Sequence, residues 1–279
     1  MRIRLDIAYD GTHFRGWARQ PGLRTVQGTL EEALARILGG DPRLVVAGRT
    51  DAGVHASGQV AHVDLDDEQE ARLPRGRRYD LEPVAALAAR LSGVLGAYPD
   101  VAVHRTSLAP EGFDARFSPV WRRYSYRLAD DTVAYDPRQR LHTTTVRGTL
   151  DVEAMDDAAR SLIGLHDFAA YCKAREEATT IRTLLDFGWR RAADGVLVAE
   201  VKADAFCHSM VRALVGACAA VGSGRLQVAD VAAIRDAGAR TSDTKVLAAR
   251  GLTLVEVGYP ADELLASRAE QTRRRRDAE

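Results

Sequence analysis

The residue best placed to do chemistry is Asp51, the one carboxylate in the stretch Val45-Val46-Ala47-Gly48-Arg49-Thr50-Asp51-Ala52-Gly53-Val54-His55-Ala56-Ser57-Gly58-Gln59-Val60-Ala61-His62-Val63. An apolar run enters this stretch and an alternating run leaves it, the pattern of strand, tight loop, strand. Gly48 and Gly53 bracket the loop and free its backbone for positive φ or for close approach to another group. Arg49 stands two residues from Asp51, and a guanidinium there favours the ionised carboxylate when the fold turns both side chains the same way. An ionised, positioned Asp is what covalent carboxylate catalysis needs. The same residue also fits an Asx-turn that only stabilises its own loop.

Two other segments carry side chains suited to a nucleic acid. Thr12 to Arg24 holds His13, Phe14, Arg15, Trp17, Arg19 and Gln20, aromatics interleaved with arginines. Such a loop stacks on bases, or it tucks Phe14 and Trp17 into the core. Arg122-Arg123-Tyr124-Ser125-Tyr126-Arg127-Leu128 has strand period, with Tyr124, Tyr126 and Leu128 on one face and Arg123, Ser125 and Arg127 on the other. An aromatic face backed by cations fits RNA binding, and it equally fits a core strand with a solvated outer face.

These residues need elements to hold them. Ile3, Leu5, Ile7 and Tyr9 alternate with Arg2, Arg4, Asp6 and Ala8, a half-buried strand. Thr25 caps a helix whose one face carries Val26, Leu30, Leu34, Ile37 and Leu38, and Gly39-Gly40 ends it. Strand 44–47 leads into the Asp51 loop and strand 60–65 leaves it. The charged insert 66–80 reads as a solvated loop. Pro83 opens a helix bearing Val84, Leu87, Leu91 and Leu95, and a short strand spans 101–105. In the second half, Val152, Met155, Ala159, Leu162 and Ile163 make a helix ending at Gly164. A hairpin of strands 183–190 and 196–203 turns across Asp194-Gly195. Phe206 through Arg212 runs into a small-residue helix, 228–237 forms another, and 252–257 is the last strand. A terminal tail ends in Arg273-Arg274-Arg275-Arg276, a run expected to be disordered and to add nonspecific phosphate affinity. Hairpin-connected strands with intervening helices, and no Rossmann or P-loop glycine fingerprint, indicate an α+β fold with mostly antiparallel sheet.

Composition narrows the function classes. A chain of 279 residues, 46% hydrophobic and 28% charged, suits one large globular domain or two small ones. Lys+Arg and Asp+Glu balance at 39 each, so any basic surface must come from local segregation. Three scattered cysteines, Cys172, Cys207 and Cys218, lack CxxC spacing and argue against both a disulfide framework and zinc. The dispersed histidines and the missing HxE…PCxxC pattern exclude a zinc base deaminase. Met1 to Tyr9 alternates where a signal peptide would run apolar, and the apolar stretch 213–221 is too short to span a bilayer. The expected compartment is the cytoplasm.

Gly-Arg-Thr-Asp-Ala-Gly-Val-His at 48–55, followed by Gly-Gln-Val at 58–60, closely resembles the catalytic loop of the tRNA pseudouridine synthase A family. Tyr9-Asp10-Gly11-Thr12 with Phe14-Arg15-Gly16-Trp17 resembles its opening motif, and Thr25-Val26-Gln27-Gly28-Thr29-Leu30-Glu31 its first helix. Phe113-Asp114-Ala115-Arg116-Phe117-Ser118 with Arg122-Arg123-Tyr124 resembles the mid-chain signature. Phe206 through Gly216 resembles the late helix, and Gly251-Leu252 through Tyr259-Pro260 the last strand. The motifs stand in the family's order over nearly the whole chain.

The resemblance implies a pseudouridine synthase fold: two similar α/β halves sharing a mostly antiparallel sheet, helices packed on one side, and a central cleft. On this chain the halves fall at 1–107 and 108–265, with a basic tail at 266–279. Asp51 becomes the catalytic aspartate, and Arg49 the neighbouring arginine that holds the flipped-out state. Tyr124 becomes the tyrosine packing on the target base, and Arg212 the basic residue that pairs with the aspartate. The implied reaction turns uridine into pseudouridine, with no cofactor and no metal. The implied substrate is the anticodon arm of tRNA at positions 38 to 40, grasped by a homodimer. Ala18, Ser92 and Ser209 depart from the family's usual Gln, Asn and His, and none of them touches the implied chemistry.

Two other functions fit parts of the sequence. An Asp-nucleophile phosphatase would place a second acidic residue two positions after Asp51, where this chain has Gly53. A non-catalytic tRNA-binding protein or chaperone would use the same scaffold, yet binding gains nothing from a carboxylate held near RNA phosphates.

Overall fold

The computed structural model describes residues 1–73, 82–96, 99–134, 136–173, 179–241 and 244–277. The architecture is mixed α and β, with mostly antiparallel strand pairing. The chain divides into two compact units, Met1–Val120 with Leu254–Ala278, and Trp121–Thr253.

In the first unit, β1 (Arg2–Tyr9) buries Ile3, Leu5, Ile7 and Tyr9 on one face, as its alternation requires. α1 (Val26–Leu38) is capped by the Thr25 hydroxyl, which accepts from the Gly28 amide at 3.2 Å, and it fully buries Leu30 and Leu34. Each buried leucine contributes roughly 2 kcal/mol of transfer free energy. β2 (Leu44–Val46) pairs antiparallel with β3 (His55–Asp64), which in turn pairs with β1 in the register Ile7 opposite Gln59 and Arg2 opposite Asp64. β3 therefore begins at His55, five residues before the expected strand, because β1 extends the ladder past the alternating run.

α2 (Asp67–Ala71) follows, closed by a capping box in which Asp66 and Gln69 serve each other's backbone amides. It replaces the first part of the expected 66–80 loop; 74–80 lie outside the described residues. α3 (Pro83–Leu95) packs on β4 (Val101–Leu108), the antiparallel neighbour of β1.

The second unit opens with β5 (Trp121–Ala129), joined in parallel by the short β6 (Thr144–Thr145). α4 (Val152–Arg160) packs on β8 (Ile181–Arg191), whose antiparallel partners are β7 (Gly164–Asp167) and β9 (Leu197–Ala203). The strand order is β5-β9-β8-β7. α5 (Met210–Gly222) is buried along almost its whole length, and α6 (Val228–Asp236) contacts both α4 and α5. The small residues of α5 permit this. A Cβ on Gly216 would lie 1.9 Å from the Lys245 carbonyl oxygen, so only glycine admits that segment.

Cys172 and Cys207 are joined as a disulfide with Cα atoms 5.7 Å apart, within ordinary bridging distance. This corrects the expectation drawn from scattered cysteines: sequence spacing says nothing of distance once the chain brings 173 against 208, where the Lys173 amide donates to the His208 carbonyl at 2.9 Å. Cys218 is free and buried in α5, and burial pushes its thiol up to about 12.

The chain then returns to the first unit. β10 (Leu252–Gly258) lies beside β3, and α7 (Leu265–Asp277) ends the described chain. A Cβ on Gly58 of β3 would lie 2.0 Å from the Val255 carbonyl oxygen of β10. The contact division thus gives the last strand and the terminal helix to the first unit, where the sequence reading drew its boundaries at 107 and 265. The expected disordered tail differs too: it is helical through Asp277, because Leu265 and Ala269 find a buried seat, Arg273 pairs with Asp114 and Arg274 with Glu270. Among the described residues no helix is long and apolar enough to cross a membrane.

Candidate active site

The Asp51 loop leaves β2 after Val46 and enters β3 at His55. Asp51 is half-buried and Arg49 is exposed. The loop's turn is closed by main chain, the Val54 amide donating to the Asp51 carbonyl at 3.2 Å.

Both flanks of the loop are pinned by buried side chains. Gln59 Nε2 donates to the Gly48 carbonyl at 2.9 Å and to the Tyr9 hydroxyl at 3.2 Å. The Tyr9 and Thr50 hydroxyls share a hydrogen bond at 2.7 Å in which either can donate. Burial pushes the Tyr9 phenol up to about 12, against the opposing effect of these hydrogen bonds, and so keeps it a donor at neutral pH. A second set of contacts comes from the main chain. The Trp17 amide donates to the Thr50 carbonyl at 3.0 Å, and the Gln27 amide at the start of α1 donates to the Trp17 carbonyl at 3.0 Å. Glu31, 2% exposed, accepts from the Leu44 amide at 2.9 Å and from Gln27 Nε2 at 2.8 Å, which sets β2 against α1. Gly11 fits against the far end of the loop, where a Cβ would lie 2.0 Å from the Val54 carbonyl oxygen.

Phe14 and Trp17 are 2% and 1% exposed. Of the two readings of their loop, the core reading holds: the rings anchor it, and its backbone braces Thr50.

In the second unit, Tyr124 lies on β5 opposite Val201 of β9, and its ring meets Phe206 edge-on at 5.1 Å and 89°. The chain runs from Phe206 through Ser209, which holds the left-handed conformation at φ 65°, into the first turn of α5 and Arg212. Arg212 Nε donates to the Leu247 carbonyl at 2.6 Å, and the Leu247 amide returns to the Arg212 carbonyl at 3.1 Å. The Tyr126 hydroxyl donates to the adjacent Ala248 carbonyl at 2.9 Å. Residues 247–248 therefore tie Arg212 on α5 to the strand that carries Tyr124. Tyr126 is fully buried and Tyr124 nearly so. The aromatic face of β5 is core-facing.

Of the four residues singled out in the sequence, Asp51 and Arg49 share one loop of the first unit, and Tyr124 and Arg212 lie in the second, on β5 and in the first turn of α5. The residues that sequence reasoning did not weigh are Tyr9, Thr50, Gln59 and Glu31 around the loop, and Phe206 beside Tyr124. Each lay inside a motif already singled out. A signal existed at Gln59, an amide between apolar strand residues that must find buried partners.

A family model described as tRNA pseudouridine synthase matches residues 158–260. A protein of Leifsonia xyli named tRNA pseudouridine synthase A is 64% identical over 277 residues, covering 98% of this chain and 96% of that protein. The chain belongs to the tRNA pseudouridine synthase A family. Proteins of the same name from Cutibacterium acnes and Frankia casuarinae are 53% and 54% identical, each across at least 98% of this chain and at least 94% of their own. The tRNA pseudouridine synthase A likeness thus spans both units, including the Asp51 loop that lies outside the family-model match.

Proposed function

We propose that this chain isomerises uridine to pseudouridine in tRNA, with Asp51 as the catalytic carboxylate. The observation that carries this reading is the half-buried Asp51 on a loop whose two flanks are held by one buried network of Gln59, Tyr9 and Thr50. A loop with only a binding role has no need of such fixing, whereas a reacting carboxylate must be held within a fraction of an ångström.

The bond from uracil N1 to ribose C1′ breaks with the help of Asp51, the uracil turns, and C5 joins C1′. The proton displaced from C5 is balanced by the one N1 gains, so nothing is consumed. A base in an RNA stem must leave the stack to react, and Arg49 holds the flipped state. Tyr124 offers its ring to the base that has lost its stacking neighbours. By the same resemblance, Arg212 is the basic residue that pairs with Asp51. On the strength of the resemblance, the target lies in the anticodon arm at positions 38 to 40, the active form is a homodimer, and the tRNA substrate places the work in the cytoplasm.

The test incubates purified protein with an unmodified tRNA transcript and maps pseudouridine at single-nucleotide resolution, with Asp51→Asn alongside. Product from the wild type alone, within the anticodon arm, is the expected result. Binding without product would favour the chaperone reading.

A further inference from the structure

We propose that Arg15 is a phosphate-binding residue of the Asp51 site: it takes the RNA backbone phosphate beside the nucleotide whose glycosidic bond Asp51 helps to break. The proposal rests on the reading of tRNA as substrate and of Asp51 as the reacting carboxylate.

The segment 12–24 carries Arg15, Arg19 and Arg24 and no acidic residue, in a chain whose Lys+Arg and Asp+Glu balance at 39 each. Basic surface in such a chain exists only where it is segregated, and this segment is one such place. Burial sorts its residues by chemistry. Phe14, Gly16 and Trp17 are buried, whereas His13, Arg15 and Arg19 are exposed. The large rings are spent on the core, so the loop has cations to offer an RNA and no indole or phenyl to stack on it.

The main chain around Arg15 is fixed. Its amide donates to the Arg24 carbonyl at 2.9 Å, and its carbonyl accepts from Gln20 Nε2 at 3.0 Å. The next residue, Gly16, has φ 91° and lies against the Asp51 loop. A Cβ there would meet the Thr50 carbonyl oxygen at 3.0 Å, the Ala52 amide nitrogen at 3.2 Å and the Asp51 carbonyl carbon at 3.4 Å. Only a glycine allows both that φ and that approach. Arg15 is thereby set one residue from the main chain that carries Asp51.

The other two arginines of the segment have partners in the fold. Arg24 makes two bonds to Asp100, at 2.6 and 2.7 Å, and covers the Phe14 ring at 4.2 Å. Arg19 stands 3.7 Å from the buried Glu31, which also draws Arg43 to 3.6 Å. Arg15 has no acidic partner among the described residues, so the fold itself makes no use of its charge.

The reaction has a use for it. The ribose that is opened at C1′ carries phosphates at C3′ and C5′, and seating that nucleotide on an ionised Asp51 brings like charges together. A guanidinium beside the carboxylate offsets the repulsion. It also grips two phosphate oxygens at once, which holds an extruded nucleotide in register. Arg49, exposed on the Asp51 loop, brings a second guanidinium from the other segment.

The experiment measures tRNA binding and pseudouridine formation for wild type, R15A and R15K from about 50 to 200 mM salt. Because the Arg15 guanidinium leaves no acidic partner behind, R15A should melt at the wild-type temperature. R15A should bind roughly tenfold more weakly at low salt, with a slope of log K against log salt shallower by about 1. Its kcat/KM should fall with the affinity while kcat at saturating tRNA holds, the mark of a contact made equally before and during reaction. R15K should restore the slope, since phosphate neutralisation needs charge. Ligated tRNAs with an uncharged methylphosphonate linkage 5′ or 3′ to the uridine that wild type modifies read the placement. One of the two linkages should cost wild type as much as R15A does, and cost R15A nothing more. Equal affinity and slope for wild type and R15A would overturn the phosphate contact, as would failure of R15K to restore the slope. Additive losses at both linkages would overturn its place beside the target nucleotide. Wild type that binds tRNA without making pseudouridine overturns the proposed activity and with it this placement, and the R15A slope then shows separately whether Arg15 meets a phosphate.

Discussion

The Tyr9 hydroxyl lies 2.7 Å from the Thr50 hydroxyl, so the last residue of β1 is coupled to the residue preceding the proposed catalytic carboxylate. Tyr9→Phe keeps the ring packing and deletes this link, leaving Thr50 and Gln59 short of a partner in the core. The expected outcome is a stability loss of about 1–3 kcal/mol in urea unfolding. Turnover should fall at least about tenfold while tRNA affinity is unchanged, since loosening by an ångström is costly to a reacting group. A drop in affinity with the single-turnover rate intact would show that the network serves binding.

Removing the carboxylate separates catalysis from binding. Asp51→Ala should abolish pseudouridine formation and leave tRNA affinity equal or slightly improved, because a carboxylate near RNA phosphates repels them. Filter binding beside the turnover assay reads both quantities.

His62 makes the first unit sensitive to acid. It is 2% exposed on β3, and its Nδ1 accepts from the Ala115 amide at 3.0 Å, which requires the neutral ring. Burial, helped by Arg2 and Arg273 and opposed by Asp114 and Asp64, brings its pKa down from 6.5 to about 4. Between those values the unfolded chain binds the proton and the folded chain does not. This contribution is therefore complete above about pH 6.5 and lost as pH falls toward 4, amounting to about 3 kcal/mol. His62→Asn, whose amide oxygen replaces Nδ1 as acceptor, should flatten the difference in unfolding free energy between pH 7.5 and 4.5 relative to wild type.

The Cys172–Cys207 bridge closes 35 residues of the second unit. Protein unfolded without reductant should show one reactive thiol per chain, from Cys218, and three after reduction. Reduction should lower stability by about 3–4 kcal/mol on the chain-entropy account. Three thiols before reduction would mean the pair is not bridged in solution.

Gly11 tests the other end of the loop. Gly11→Ala drives a Cβ to within 2.0 Å of the Val54 carbonyl oxygen, and main chain cannot yield as a side chain does. The expected cost is about 3 kcal/mol or more, with turnover falling further than Tyr9→Phe allows, measured by thermal unfolding and the same transcript assay.

Much of this protein was legible in its sequence. The alternation of Ile3, Leu5, Ile7 and Tyr9, the Thr25 cap, the hairpin across Asp194-Gly195 and the α+β class follow from local period and capping, which act over a few residues and leave their mark on the string itself. The family was legible too, since its motifs occur in order. What the sequence left open were matters of distance between remote residues. Asp51 and Tyr9 are 42 positions apart, yet the β1–β3 register makes Tyr9 a brace for the Asp51 loop. Cys172 meets Cys207 for the same kind of reason, and the arginine tail becomes a helix because Asp114, far upstream, is placed to receive Arg273. Phe14 and Trp17 satisfied two readings until burial chose one. Local propensity is written residue by residue, whereas packing and ion pairing depend on which segments the tertiary fold brings together, and only the folded chain decides that.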